Sequence, residues 1–296
     1  MRVFVTGATG FIGSAVVNDL LATGHQVLGL VRSDAGAATL ARMGVEPHRG
    51  ELSDTDSLAA GALACDGVIH TAFIHDFSQY EANAATDQRA LEAMAHALQG
   101  SGKPLVATSG TTVLAPGRIR TENDPPALDG LGRIRAASEV VLAAAERGVR
   151  VSVVRLPPSV HGRGDHGFVP MLIDMARRTG VVAFVGDGAN RWPAVHRLDA
   201  ARLFRLALEK AAPGSRLHGA AEEGIPMRAI AQAIGRGLGL PVRGISEQES
   251  VGHFGWLAPF VAIDNSTSSA LTRSSLGWHP QQPDLLTDLR DSGYFS

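Results

Sequence analysis

The sequence predicts an α/β protein: a doubly wound parallel sheet with helices on both faces and a smaller C-terminal substrate-side domain. Three observations predict it. Short β-branched runs alternate with Ala- and Leu-rich stretches of helical spacing through the first half of the chain. Those runs are apolar throughout rather than alternating, as strands covered on both faces are. A glycine-rich turn joins the first run to the first helical stretch. With 296 residues and 45% apolar content the chain can bury a sizeable core, which excludes disorder.

Taken in order, strands are expected at Val3 to Val5, Gln26 to Val31, Gly67 to His70, Pro104 to Ala107 and Val149 to Val154. Helices are expected at Phe11 to Ala22, Ala35 to Arg42, Tyr80 to Leu98 and Gly132 to Arg147. Val45 to His48 reads as a weaker third strand, followed by a short helix near Asp54 to Leu63. Right-handed crossovers between parallel strands then give the doubly wound topology. Beyond Leu156 the pattern loosens. Pro157 and Pro158 interrupt it, and Gly162, Gly164 and Gly167 mark loops. Phe168 to Arg178, Leu198 to Lys210 and Pro226 to Leu238 read as helices. The expected division is a dinucleotide-binding Rossmann domain over 1–155 with about 195–215, and a substrate-side domain over 156–194 and 216–296.

Composition excludes several classes of function. Lys plus Arg number 27 against 29 Asp plus Glu, a formal net charge of -2, so no basic field marks a nucleic-acid partner. No apolar run approaches the ~18 residues of a membrane helix. Cys65 is the only cysteine, which rules out an intrachain disulfide and a thiolate zinc cluster. The histidines show no H-x-x-x-H spacing, so no metal site is expected. Arg2 to Gly7 reads as a strand, leaving no room for a signal peptide. A cytoplasmic protein with a small-molecule partner is expected, without nucleic acid or membrane.

The strongest motif is Thr6-Gly7-Ala8-Thr9-Gly10-Phe11-Ile12-Gly13, with glycines spaced G-x-x-G-x-x-G between a strand and a helix. The first glycine permits the tight turn, the second lets backbone approach a pyrophosphate, and the third allows close helix–strand packing. The helix N-terminus then directs N–H groups and positive dipole at the phosphates. Gly7, Thr9, Gly10, Phe11, Ile12 and Gly13 are therefore candidate cofactor residues. The second strand ends at Arg32-Ser33-Asp34. A cation and a hydroxyl there suit a ribose 2′-phosphate and favour NADP(H) over NAD(H), while Asp34 keeps NAD(H) as the alternative.

On these residues the chain resembles the extended, sugar-epimerase-like branch of the short-chain dehydrogenase/reductase superfamily. Gly50-Glu51-Leu52 resembles that branch's Gly-Asp-Leu, with Glu replacing the Asp that usually faces adenine. Ile69-His70-Thr71-Ala72-Phe73 resembles the segment over the cofactor ribose, and Ala107 to Val113 the active-site turn after the fifth strand. Arg155-Leu156-Pro157-Pro158-Ser159-Val160-His161-Gly162 resembles the loop at the nicotinamide end. Val195 to Ala201 resembles the stretch that returns to the sheet. The resemblance implies cofactor contacts from Leu52, Thr71, Ala72, Phe73, Pro157 and Val160.

The family's catalytic pair is missing. Relatives carry a Tyr four residues before a Lys, with a Ser or Thr on the preceding turn and a Glu four after the Lys. Glu139 fits the Glu, which puts Arg135 at the Lys position, Leu131 at the Tyr position and Gly110 where the Ser or Thr is usual. The chain holds only two Tyr, Tyr80 and Tyr294, and only two Lys, Lys103 and Lys210, none so spaced. Arg135 remains a candidate for holding the nicotinamide ribose, though guanidinium is a poor proton donor. Ser109 and Thr111 flank the turn at the sheet's carboxyl edge and are candidates for orienting a carbonyl. His75, in the loop after the fourth strand, is a candidate general acid. His166, Arg191 and Trp192 are expected to border substrate, and Phe254 and Trp256 are read either as pocket lining or as core.

Hydride transfer to a small carbonyl, imine or alkene by an NADP(H)-dependent oxidoreductase is the expected function. One alternative is a non-catalytic NADP sensor, which resembles the nitrogen-metabolite-repression type regulators in lacking the Tyr. The other is a nucleotide-sugar epimerase or dehydratase, which the missing Tyr disfavours most. A homodimer through the helices at Tyr80 to Leu98 and Gly132 to Arg147 would explain their Ala and Leu content, and so would packing within one chain.

Overall fold

A computed structural model describes residues 1–76, 79–127, 132 and 136–296. The first six strands are β1 (Arg2–Thr6), β2 (Gln26–Val31), β3 (Glu46–Arg49), β4 (Gly67–His70), β5 (Pro104–Gly110) and β6 (Arg150–Leu156). Later come β7 (Ser159–His161), β8 (Val182–Val185), β9 (Arg191–His196), β10 (Ser215–His218), β11 (Glu222–Pro226) and β12 (Val242–Ile245). Seven of these form one parallel sheet in the order β10-β6-β5-β4-β1-β2-β3. Strand order reverses between β1 and β4, the switch point at whose carboxyl ends open α/β sheets form a ligand crevice.

Successive side chains of each strand enter different cores. Val3, Val5, Ile69, Val106 and Val154 pack under the helices Phe11–Ala22 and Arg197–Lys210, against Val16, Leu20 and Phe204. Phe4, Val68, Leu105 and Val153 point the other way, against Leu58, Leu91, Met94 and Val141 of the helical segments Thr55–Leu63, Tyr80–Ala97 and Ala137–Arg147. Each such fully buried side chain stabilises the fold by roughly 1.5–3 kcal/mol. Because both faces are apolar, the strands read as continuous runs.

A third cluster lies in the C-terminal half. The helices Phe168–Thr179, Met227–Leu238 and Leu285–Asp291 bury Leu172, Ile173, Ile230, Ile234 and Leu285 against Phe184, Trp192 and Phe260. Two small sheets accompany it, β11-β9-β7 and β12-β8. Trp278, also from the C-terminal part, instead fills the first cluster, its Nε1 donating to Asp199 O at 2.9 Å. The stretch expected as a helix over Gly132 to Arg147 is, across Ala137–Arg147, a 3₁₀ segment ending at Gly148 with φ 76°. Val140 and Val141 crowd an α-turn, and Ser138 and Glu139 are both tied to neighbouring elements. Among the described residues no helix is long and apolar enough to cross a membrane.

Candidate functional site

The turn after β1 is shaped by close approach. Gly7 has φ 69°, and a Cβ on it would lie 2.8 Å from Ala72 N. A Cβ on Gly13 would lie 2.0 Å from Gly7 O, so only glycine lets the helix start this near the strand. Gly10 N donates to Gly7 O at 2.8 Å, closing the turn. The helix beginning at Phe11 has no side-chain cap and no acidic residue in its first turn. Its N-terminal N–H groups and dipole therefore face the crevice without a competing carboxylate from that turn. Thr9 and Gly10 are exposed, and Phe11 and Ile12 half-buried. Arg197 adds a cation, its guanidinium 4.7 Å from the Phe11 ring centre, and His166 packs edgewise on the same ring. A side chain at Gly7 would strike Ala72 and one at Gly13 would strike Gly7, so the glycines keep this cradle tight beneath the uncapped helix start, whose chemistry a dinucleotide pyrophosphate fits.

The cradle is anchored from beneath. Thr71 Oγ1 donates to Thr6 O at 2.8 Å, tying the ends of β1 and β4 together. Thr6 Oγ1 meets His70 Nδ1 at 2.8 Å, His70 Nε2 meets Asp87 Oδ1 at 3.0 Å, and Ser138 Oγ donates to Asp87 Oδ2 at 2.6 Å. All four side chains are buried. The relay links the turn to the helix Tyr80–Ala97 and the segment Ala137–Arg147. Sequence reading missed it because its members are separated in the chain and carry no motif.

At the carboxyl end of β2, Arg32 is exposed just past the strand. Ser33 caps the next helix, its Oγ accepting from Gly36 N at 3.1 Å. Asp34 is ion-paired with Arg49, the last residue of β3. Sequence reading passed over Arg49, although it sits in register with Val31 at the same sheet edge. Leu52 is half-buried against the second core cluster.

At the opposite end, Thr71, Ala72 and Phe73 follow β4 and are half-buried. His75 is exposed and packs edgewise on Phe73 with ring centres 5.3 Å apart; Tyr80 packs on the same ring at 6.0 Å. Ser109 is buried within β5. Thr111 is buried and held reciprocally by Asn265: Thr111 Oγ1 donates to Asn265 Oδ1 at 2.5 Å, and Asn265 Nδ2 to Thr111 O at 2.9 Å. The Thr111 hydrogen is thereby committed within the protein. Arg135 and Leu131 lie outside the described residues. Pro157 is buried and Val160 half-buried, on either side of the entry to β7.

Beneath Ser109, Arg155 and His218 lie in one row across β5, β6 and β10. Arg155 is fully buried and paired bidentately with Glu139, at 2.6 and 2.8 Å. Although burial opposes its ionisation, the Arg155 guanidinium holds the Glu139 carboxyl below its ordinary value. Burial, with Arg155 beside it, pushes His218 down to about 4.

Several expected substrate contacts are engaged elsewhere. Arg191 is clamped by Asp264 at 3.0 and 2.9 Å, and Trp192 is wholly buried with Nε1 donating to Phe260 O at 2.9 Å. A fully buried indole cannot border substrate, and the pair fixes the fold instead. Phe254 is core, whereas Trp256 is half exposed beside a groove of about 430 Å³ lined by Val251, Pro259 and Ala262. His161 is buried on Asp288 at 2.8 Å. Tyr294 donates to Asp165 at 3.0 Å, and burial pushes its phenol far above the ordinary value, unfit for acid catalysis near neutrality. Among the described residues no group of three or more His, Cys, Asp or Glu is placed to hold a metal ion.

Residues 3–218 match the model of the NAD dependent epimerase/dehydratase family. The chain belongs to that family. It is thereby a member of the extended short-chain dehydrogenase/reductase superfamily, whose members depend on a nicotinamide dinucleotide. An uncharacterised protein of Schizosaccharomyces pombe is 51% identical over 300 residues, covering 100% of both chains. The 2-alkyl-3-oxoalkanoate reductase of Stenotrophomonas maltophilia is 31% identical over 267 residues, 81% of this chain and 77% of its own. Among solved structures, the dTDP-glucose 4,6-dehydratase DesIV of Streptomyces venezuelae, holding NAD, superposes with a TM-score of 0.78. That likeness covers 98% of this chain and 96% of DesIV at 23% identity, and is one of fold.

Proposed function

We propose that this family member is an NADP(H)-dependent oxidoreductase that reduces a small carbonyl, imine or alkene substrate without the tyrosine acid of its relatives. The observation that supports the reading is the glycine turn at Gly7, Gly10 and Gly13, where the uncapped first helix starts hard against β1. The bound dinucleotide supplies the hydride; the chain's own residues supply position, charge and a proton route. Phe11, Ile12 and Gly13 would receive the pyrophosphate, with Arg197 adding positive charge above Phe11. Arg32 and Ser33 would receive the 2′-phosphate, and Thr71, Ala72 and Phe73 would border the ribose. Arg135, at the family's Lys position, would hold the nicotinamide ribose.

For the proton source, two of the chain's hydroxyls are already engaged. Tyr294 donates to Asp165, and Thr111 gives its hydrogen to Asn265. His75 is exposed on the loop after β4, and an imidazole is a common proton carrier in catalysis. In this reading His75 is the candidate general acid, and Ser109, near the end of β5, the candidate for orienting the substrate oxygen. Likeness to a reductase of 2-alkyl-3-oxoalkanoates supports 3-oxo compounds as the first substrates to try.

The missing Tyr-x-x-x-Lys favours one other reading, a dinucleotide sensor that turns nothing over. A panel of 3-oxo acids and esters, enones and imines, followed by NADPH absorbance, separates the two. Substrate-dependent NADPH loss supports the reductase. Tight NADPH binding without turnover on any of them supports the sensor.

A further inference from the structure

We propose that the Arg49–Asp34 ion pair sets cofactor selectivity at the adenosine end: Arg49 cancels the carboxylate that would otherwise favour an unphosphorylated ribose. This rests on the NADP(H) reading above. The carboxylate at the end of β2 belongs to the residue type that accepts ribose hydroxyls in NAD-dependent sites and repels a 2′-phosphate. Asp34 stands two residues past Arg32, at the first position of the helix Asp34–Arg42. Its place is fixed on both sides. A Cβ on Gly36 would lie 2.4 Å from Val31 Cγ2, so the helix start is pressed onto the end of β2. Ser33 caps the same turn through Gly36 N.

Arg49 is equally fixed. β3 pairs in parallel with β2, with Arg49 opposite Val31, and Gly50 N donates to Val31 O at 3.2 Å. The guanidinium meets Asp34 Oδ1 through Nη2. Both side chains are exposed, at 50% for Arg49 and 100% for Asp34, so the pair contributes little to stability. Its consequence is local charge. With Asp34 neutralised, Arg32 is left as the net cation at the strand end. The Ser33 hydroxyl, accepting from Gly36, still has its own hydrogen to donate to a phosphate oxygen. Arg32, just past β2, and Arg49, ending β3, thus outweigh Asp34 at the strand ends, with Glu51 two residues further along the chain.

Equilibrium titration of NADPH and NADH against the full-length protein, R49Q, R49K, D34N and the R49Q/D34N double variant tests this. Wild type is expected to bind NADPH more tightly than NADH. R49Q should lose about tenfold in NADPH affinity while NADH binding holds or tightens, a change of ~1.4 kcal/mol in the difference. R49K keeps the charge and should keep the preference. D34N should retain NADPH affinity, and the double variant should recover most of what R49Q loses. A wild-type preference for NADH overturns the NADP(H) reading and the proposal together. A wild-type preference for NADPH with R49Q weakening both cofactors alike, or with no recovery in the double variant, overturns the Arg49–Asp34 proposal alone.

Discussion

At single positions, two kinds of residue carry the account: glycines that make room and a histidine proposed to act where relatives use a tyrosine. Gly13 is the sharper case for room, since a Cβ there would sit 2.0 Å from Gly7 O. G13A must push the first helix off the strand, and overpacking of this kind costs roughly 1–3 kcal/mol. NADPH affinity by fluorescence titration should fall at least tenfold, with a lowered melting temperature; unchanged affinity would mean that the cradle does not hold the cofactor. For His75, general acid catalysis of this type contributes about 10²–10⁴ in rate. H75Q should lower kcat at least a hundredfold while NADPH affinity holds. A loss of affinity with kcat intact would give His75 a binding role instead. The glycine motif was legible because spacing in the chain is itself the geometry. Thr111 was legible as a turn hydroxyl, but its commitment to Asn265 was not, since the two are 154 residues apart.

Between elements, the active end of the sheet rests on buried polar rows. Arg155 on β6 joins Glu139 and His218, and Glu139 also takes Arg216 at 2.9 Å. His218 stays neutral in the fold, pushed down to about 4, while an unfolded His titrates near 6.5. Stability from this group is therefore fully present above pH ~6.5 and falls as pH drops towards 4, because only the unfolded chain takes up the proton. His161 and His196, both lowered mainly by burial, act in the same direction. The melting temperature should decline from pH 7 to 4, and H218Q should flatten that decline. A variant with the wild-type slope would remove His218 as a cause. Five of the first six strands were legible because each carries a compact β-branched run, whereas β3, Glu46–Arg49, has no β-branched residue and read only weakly. Those after Leu156 were not: β7 has three residues and β8 four, too few for any period to show. The 3₁₀ course of Ala137–Arg147 was also hidden, because its Ala- and Leu-bearing sequence has helical spacing in either form.

Over the whole molecule, composition and motif gave the fold class, and the strand order places the crevice between β1 and β4. The chemistry was less legible, because the usual Tyr-x-x-x-Lys spacing, the family's own signal, is missing from the sequence. Arg49 and Arg197 reach the site only through strand pairing and chain return. The direct measurement is isotope transfer. The protein is incubated with NADPH deuterated at the nicotinamide C4 and with 3-oxo acids and esters, enones and imines, and products are weighed by mass spectrometry. Hydride transfer predicts a reduced product carrying one deuterium at the reduced carbon, matched by oxidised cofactor. Tight NADPH binding with no deuterium in any product would contradict it.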